Sequence, residues 1–365
     1  MEVQPLSKQA GLTLLELMIA LALGLVVSAA AVMLFLTGQK TYSLQQGAVD
    51  IQDNANFGLG YITKDLRYIN LNTNSSLMND RTHFGGVVLT SSENADKDTD
   101  GVTLLSNLTK TITGATAAVK LLSQSEIGPS NVKAGGVDAK SDQLVIQYKP
   151  QYILDDKGTT GSDEKTLDDE WVGGFDCEGT EIRFLVKEKK KDKDGKDVIV
   201  DRPQRMVVQR YFLREDDNKA NNEPNTPLAL ACDAGWYTDD TGWYTDDTNP
   251  AAIENYGDAG QIIMKRVDYF HVMLGIENAG KHRYISIKDY MKLTSPKPRI
   301  LAVQFGVLAR SSQSVGNDAT LKEDHVFSVL DQNVKAVTTT GKLKYVRQAV
   351  SQTVALRNAF GERGQ

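Results

Sequence analysis

This sequence of 365 residues has no excess of basic residues, and histidine, cysteine and proline are scarce in it. The chain has 41 Lys and Arg against 47 Asp and Glu, and the resulting net charge of −6 argues against a nucleic-acid partner held by bulk electrostatics. Nine prolines and an ordinary glycine content exclude a low-complexity chain. A hydrophobic fraction of 41% and a charged fraction of 24% are typical of a globular protein with a sizeable core.

Sequence motifs for catalysis are also missing. The four histidines, at positions 83, 271, 282 and 325, are scattered, and none stands in a spacing typical of metal ligands. Neither a Gly-x-Ser-x-Gly turn nor a Walker loop occurs. A catalytic site assembled from distant residues stays open as an alternative, but the sequence predicts no enzyme and no cofactor.

One long apolar run lies near the N-terminus. Residues 12–36 contain a single charged side chain, Glu16, and a helix of that length spans a bilayer core of about 30 Å. The polar leader 1–11 carries Lys8, which favours a cytoplasmic N-terminus. A secretory signal peptide has a shorter apolar region followed by a small-residue cleavage site, whereas here Gly11 precedes a longer region.

A plain signal anchor explains this length and polarity, but it does not explain Glu16. A carboxylate inside an apolar span costs up to a few kcal/mol, which makes Glu16 a candidate functional residue. If the chain is cut after Gly11, Leu12 carries a free α-amino group, and Glu16 lies on the same helix face about 6 Å further along the axis. A neighbouring helix shifted by that rise brings its own amine beside this carboxylate, so charge pairing would set the register between subunits.

The eight residues from Gly11 to Met18, GLTLLELM, resemble the class III prepilin signal of type IV pilins and of type II secretion pseudopilins. This resemblance implies cleavage after Gly11 by a prepilin peptidase, methylation of the new N-terminus at Leu12, and a role for Glu16 in assembly. The family usually has Phe directly after the cut, where this chain has Leu12.

The helix is predicted to continue beyond the membrane. Apolar residues recur at steps of three and four, which is typical of one buried helix face; they are Leu44, Ala48, Ile51, Ala55, Leu59, Ile62, Leu66 and Ile69. Because no proline follows before Pro129, one helix from about Leu12 to about Asn70 is expected, near 88 Å long. A separate short helix after a hinge at Thr37 and Gly38 is the alternative.

Beyond residue 70 the pattern changes to short β-like runs joined by loops rich in Asp, Asn, Gly, Lys and Thr. The candidate strands are 87–89, 102–105, 144–148, 182–186, 206–213, 267–274, 300–308, 326–330 and 346–356, with a short helix near 287–293. The predicted fold class is α+β, a long N-terminal helix packed on a large antiparallel β-rich head, as in pilins. The predicted parts are a leader 1–11, a membrane helix 12–36, its amphipathic continuation 37–70 and a head 71–365.

The two cysteines, Cys177 and Cys232, are expected to form a disulfide if the head lies outside the cytoplasm. Closing a loop of that length would stabilise the fold by roughly 4 kcal/mol in the chain-entropy model. Two buried free thiols are the alternative.

Residues near both ends resemble the PilW family of minor pilins more narrowly. The N-terminal segment has Tyr42, Gln45 and the motif 64–67, Lys-Asp-Leu-Arg, and the C-terminal segment 347–358 ends in Thr-Val-Ala-Leu-Arg-Asn. The segments around Cys177 and Cys232 fit this family as well. The resemblance implies a low-abundance subunit at or near the filament tip that primes pilus assembly with other minor pilins.

The resemblance also implies partners and a location. The partners are the prepilin peptidase, other minor pilins, the major pilin, a tip adhesin and the inner-membrane assembly platform. The protein is expected to cross the bacterial inner membrane once, with its head in the periplasm, before it enters the pilus on the cell surface. The alternatives are a J-like pseudopilin of a type II secretion system and, of another class, a membrane-tethered periplasmic enzyme.

Three further motifs have competing interpretations. Asp96, Asp98 and Asp100 match the first half of a calcium loop, but Asn107 replaces the closing acid, so a solvated turn is favoured over a metal site. The charged run 187–197 predicts a hairpin tip rather than a binding site. The sequence GWYTDDT occurs twice in tandem over 235–248, and an expanded loop is favoured over an aromatic partner-binding patch.

Overall fold

The computed structural model describes residues 11, 13–73, 75–92, 94–108, 121–155, 167–219, 223–238, 253–278, 280–316, 321–322, 324–337 and 343–359. A single helix, α1, runs from Leu14–Leu66, and its 53 residues span about 80 Å. It continues through Thr37 and Gly38, so the alternative of a separate short helix is wrong. The helix ends four residues before the predicted Asn70, which has a left-handed φ of 63° and lies in the turns that follow.

The first half of α1 stands clear of the head. All of its residues from 14 to 42 are exposed, and this half is long and apolar enough to cross a membrane by length and composition. Its hydroxyl groups donate hydrogen bonds back to helix carbonyls, as from Ser28 to Gly24 at 2.8 Å and from Thr37 to Met33 at 2.8 Å. Polar side chains satisfied in this way are compatible with an apolar surrounding.

The second half of α1 supplies one wall of the head's core. Leu44 and Ala48 are half-buried, and the predicted stripe then becomes fully buried, with Ile51, Ala55 and Leu59 at most 1% exposed. Each buried Leu or Ile contributes roughly 1.5–3 kcal/mol relative to an exposed one.

Within the described residues the head contains eighteen strands, a short helix and a 3-10 turn at Arg357–Ala359. The strands are β1 Gln124–Gly128, β2 Val132–Ala134, β3 Val137–Asp138, β4 Ser141–Tyr148, β5 Ile153–Asp155, β6 Glu170–Phe175, β7 Glu181–Leu185, β8 Lys187–Lys191, β9 Asp197–Asp201, β10 Arg205–Glu215, β11 Leu228–Thr238, β12 Gln261–Lys265, β13 Val267–Asn278, β14 Lys281–Ser286, β15 Arg299–Arg310, β16 Val326–Val329, β17 Gln332–Ala336 and β18 Arg347–Ala355. The helix α2 is Ile287–Met291, inside the range predicted for it.

Two antiparallel sheets form the body of the head. The first has the order β1-β4-β10-β11-β12 and the second has the order β14-β13-β15-β18. Helix α1 packs along β12 and β18, which are edge strands of different sheets, and it also contacts β15. Gly58 allows this close approach, because a Cβ there would lie 2.9 Å from the Met264 Cβ on β12. One apolar core therefore extends across the helix and both sheets.

Three smaller sheets surround this body, with the orders β16-β17-β2-β3, β5-β6-β7 and β8-β9. The last is the hairpin predicted from the charged run 187–197, and it turns at Gly195 with a φ of 77°. The long helix and the antiparallel β-rich head confirm the predicted fold class.

Most of the predicted strands are present, but two are wrong. The runs 87–89 and 102–105 form only isolated bridges, from Val87 to Ile146 and from Thr103 to Lys97. Conversely, β11 was not predicted, although it is a central strand of the first sheet and almost wholly buried.

A buried carboxylate links α1 to the first sheet. Asp65 is 5% exposed, and the hydroxyl of Tyr211 on β10 donates to its Oδ2 at 2.8 Å. Burial raises the pKa of Asp65 to about 6, although the Tyr211 hydrogen bond acts in the opposite direction. Asp65 belongs to the motif 64–67, which therefore has a packing role at the helix–head contact.

The C-terminal segment meets the end of α1. The Asn358 side chain donates to the backbone oxygens of Arg67 at 3.3 Å and Ile69 at 3.0 Å. The Asn70 side chain in turn donates to the Asn358 oxygen at 3.1 Å. The two sequence segments that carry the family resemblance are thus neighbours in the fold.

We expect Leu59→Ala to lower the free energy of unfolding by about 2–5 kcal/mol, because it opens a cavity between α1 and the sheets. Phe57→Ala is the matched control, since Phe57 is 72% exposed and Leu59 is 0% exposed. Denaturant unfolding of the detergent-solubilised full chain, followed by tryptophan fluorescence, measures both values. Equal losses in the two variants would contradict the packing described for α1.

We expect Asp65→Asn to remove a pH-dependent part of the stability. Because the pKa of Asp65 is raised to about 6, its contribution is fully present below about pH 4 and is lost as the pH rises through 6. The loss is on the order of 3 kcal/mol. The amide oxygen of Asn still accepts the Tyr211 hydroxyl, so the variant should be more stable than wild type at pH 8 and no more stable at pH 4. Asp53→Asn, at an exposed position on the same helix, should follow the wild-type pH profile.

Candidate processing and assembly site

The predicted cleavage position lies just before α1. Gly11 is exposed, and a Cβ placed there would meet nothing within 4 Å. Leu12 lies outside the described residues. Thr13 has extended backbone angles, with φ −72° and ψ 151°, and is the N-cap residue of α1.

Glu16 and Thr13 form a capping box. The backbone N–H of Thr13 donates to Glu16 Oε2 at 3.0 Å, and the Thr13 hydroxyl donates to the same oxygen at 3.1 Å. The Glu16 N–H donates to Thr13 Oγ1 at 3.2 Å. These contacts satisfy N–H groups that the first helical turn leaves without partners. Glu16 therefore has a local role that the sequence analysis missed, although the spacing Thr-x-x-Glu is its usual signal.

The disulfide prediction is confirmed. Cys177 and Cys232 are bonded, with Cα atoms 6.1 Å apart and a sequence separation of 55. Cys177 lies in the turn between β6 and β7, and Cys232 lies in the middle of β11. The bond therefore attaches the small β5-β6-β7 sheet to the first sheet of the body.

The Asp96–Asp100 run has the contacts of a turn. Asp98 Oδ1 accepts the backbone N–H groups of Asp100 at 3.0 Å and Val102 at 2.8 Å, and Asp96 pairs with Lys297 at 3.2 Å. In the described part of the chain, these three carboxylates do not form a group close enough to share a metal ion. The geometry favours the solvated-turn interpretation.

A different group of acids does converge. Glu178, Asp233 and Asp258 each offer a carboxylate oxygen, and these oxygens lie within 4.8 Å of one another. Burial, together with the negative charges of Asp258 and Asp233, raises the pKa of Glu178 to about 7. Burial also raises the pKa of Asp233 to about 6, against the opposing effect of Arg210. Sequence reasoning missed this group because its members are distant in the chain.

His271 lies between two carboxylates. Its Nδ1 is 2.7 Å from Asp142 Oδ2, and its Nε2 is 2.8 Å from Asp331 Oδ1. Burial lowers the pKa of His271, but the hydrogen bonds and charges of the two aspartates outweigh it, so the pKa is raised overall. Two flanking carboxylates favour the charged imidazolium form of His271. Its ion pair with Asp331 links β13 to the turn after β16. His271 therefore has a structural role and is not a free base.

The first copy of the GWYTDDT repeat begins inside β11. The Tyr237 hydroxyl donates to Gln147 Oε1 at 2.7 Å, and the Arg205 guanidinium lies 3.4 Å from the centre of a Trp236 ring. This Trp-Tyr pair therefore packs within the head. Residues 239–252, which include the second copy, lie outside the described residues.

Two family models match the chain. Residues 244–358 match Type IV Pilus-assembly protein W, and residues 6–32 match the Prokaryotic N-terminal methylation motif. The methylation-motif match covers the prepilin signal at 11–18, and the PilW match covers the C-terminal segment 347–358. Residues 42–67 and the segments around Cys177 and Cys232 lie outside both matches. The matches confirm the similarity to PilW-type minor pilins. The match to a pilus-assembly protein indicates a structural rather than an enzymatic protein.

Among solved structures, a type IV-like pilin from Thermus thermophilus is similar over 84% of this chain and 96% of its own length, with 10% sequence identity and a TM-score of 0.28. No curated protein matches the chain. The two family models thus place a PilW-like region at 244–358 and a prepilin-type methylation motif at 6–32.

Proposed function

We propose that this type IV pilin-like chain is a minor pilin that primes pilus assembly and lies at or near the pilus tip with other minor pilins. The observation that carries the proposal is the continuity of α1, Leu14–Leu66, from the prepilin motif into the head. Its first half is apolar and uncovered, and its second half is packed against the sheets. Such a helix suits a subunit that is held first by lipid and then by neighbouring helices.

The proposed path begins in the inner membrane, with the N-terminus in the cytoplasm and the head in the periplasm. The prepilin peptidase cuts after Gly11, and Leu12 becomes the methylated N-terminus. The disulfide supports a periplasmic head, because such bonds persist in oxidising compartments. The assembly platform then moves the subunit into the filament, where the major pilin and other minor pilins are its neighbours and a tip adhesin is a further partner.

The size of the head supports a tip position. Nearly 300 residues follow α1, and they form five sheets within the described part of the chain. A subunit that repeats along a filament must pack against copies of itself on several sides. A large head is easier to accommodate at the tip, where one side of the subunit is free.

Glu16 is proposed to set the register between subunits. After cleavage, the α-amino group of Leu12 in one subunit would face the Glu16 carboxylate of its neighbour. In an apolar surrounding this pairing is strongly favoured over leaving either charge unpaired. The capping box does not compete with this role, because a carboxylate can accept several hydrogen bonds at once.

We expect Gly11→Val to block processing. In wild-type protein from membranes, intact mass spectrometry should show loss of residues 1–11 and gain of one methyl group, whereas the variant should keep the leader. Gly24→Ala is the control, because a Cβ at Gly24 also meets nothing within 4 Å but the site lies within the helix. A wild-type chain that retains its leader would refute the processing proposal.

We expect Glu16→Gln to reduce incorporation into pili at least tenfold while the protein stays in the membrane. Gln at this position keeps the capping box but removes the charge that pairs with a neighbouring amine. Thr13→Ala is the matched variant, because it removes the cap, at a cost of about 1 kcal/mol, but keeps the charge. It should assemble nearly as wild type does. Immunoblots of sheared pili and of membrane fractions measure both quantities, and the opposite ranking would assign Glu16 to capping alone.

A further inference from the structure

The disulfide brings two acidic residues of distant segments to one place. Glu178 directly follows Cys177, and Asp233 directly follows Cys232. Asp258 joins them from the segment just before β12, so that oxygens of all three carboxylates lie within 4.8 Å of one another. Two oxygens that bind the same calcium ion at about 2.4 Å can be no more than about 4.8 Å apart, so this spacing fits one ion.

Hydrogen bonds to its backbone hold the Asp258 segment beside Cys232 and Asp233. The Gly257 N–H donates to Asp233 Oδ2 at 2.9 Å, and Arg210 Nη2 donates to the Asp258 backbone oxygen at 2.6 Å. At Gly260, with a φ of 59°, a Cβ would lie 2.2 Å from the Cys232 oxygen, so a side chain does not fit there. The three acids are therefore brought together by the fold of the chain itself.

The charges at this position are not balanced. Three carboxylates face one guanidinium, that of Arg210, which lies 2.9 Å from Asp233 Oδ2. Half-buried Asp176 adds a further negative charge close to Glu178. Like charges at such short range raise the free energy of the fold unless the carboxylates take up protons or a cation lies between them.

Asp233 supplies a second, independent observation. Its side chain is 0% exposed, yet its Oδ1 has no hydrogen-bond partner among the described residues. A buried carboxylate oxygen without a partner destabilises the fold, because it has lost its hydrogen bonds to water and gained none in return. A bound cation accounts both for this free oxygen and for the excess negative charge.

We propose that Glu178, Asp233 and Asp258 bind one calcium ion on the head, beside the Cys177–Cys232 disulfide. Asp258 is exposed and Glu178 is half-buried, so an ion reaches the site from solvent and keeps water among its ligands. Calcium accepts six to eight oxygens in flexible geometry, whereas magnesium requires a near-ideal octahedron at shorter distances. Irregular carboxylates from three separate segments suit calcium better.

The test is calorimetric titration of calcium into the detergent-solubilised full chain, after divalent ions have been removed with a chelator. We expect one saturable site in wild type and at least tenfold weaker binding in Glu178→Gln and in Asp258→Asn. Asp98→Asn, from the acidic run that does not converge, is the matched control and should bind as wild type does. Magnesium should bind at least tenfold more weakly than calcium.

Thermal unfolding separates a lost site from a damaged fold. In chelator, Glu178→Gln and Asp258→Asn should melt at or above the wild-type temperature, because each removes a repelling charge. In calcium they should melt below wild type. This reversal is expected only if the carboxylates bind the ion.

Three results would overturn the proposal. Wild type without saturable calcium binding would mean that Arg210 alone compensates the acids. Unchanged affinity in both Glu178→Gln and Asp258→Asn would place any bound ion elsewhere, and equal magnesium affinity would refute the assignment to calcium. Pilus assembly does not enter these measurements, so their outcome is independent of the proposed minor-pilin function.

Discussion

The rest of the head depends on one contact, the burial of the apolar stripe on the second half of α1. Removing this apolar surface from water stabilises the fold. Ile51, Ala55 and Leu59 are almost fully buried between β12 and β18, which are edges of different sheets. The helix therefore closes one core that neither sheet could close alone. Asp65 is the polar exception on this face, and Tyr211 satisfies its carboxylate.

The parts of the fold that the sequence predicted are those with a long repeated pattern. The stripe on α1 repeats over about six turns, and strands such as β13 and β15 are long and apolar. The central strand β11, Leu-Ala-Leu-Ala-Cys-Asp-Ala-Gly-Trp-Tyr-Thr, was missed because it contains small and charged residues and is buried on both faces. The run 87–89 was wrong for the converse reason, since three apolar residues in a row do not distinguish a strand from a buried loop.

The functional residues also fall into those that the sequence predicts and those that only the folded chain reveals. The segment 11–16 could be identified because all its signals are local, and even the missed capping box follows from the order Thr-x-x-Glu. The partner of Asp65 and the group of Glu178, Asp233 and Asp258 could not be identified, because each depends on which distant segments the fold joins. The two cysteines were a partial signal, since the acids directly follow them, but the third acid comes from a loop that only the folded chain brings there.

The contact of α1 with two sheets has a mechanical consequence. A pull on the exposed half of the helix passes into the head along β12 and β18 together, so the load is shared between two sheets instead of peeling one edge strand away. The disulfide joins a third sheet to the first by a covalent bond. This sheet therefore stays attached to the body under load. The head is thus built to resist extension from the side on which α1 enters it.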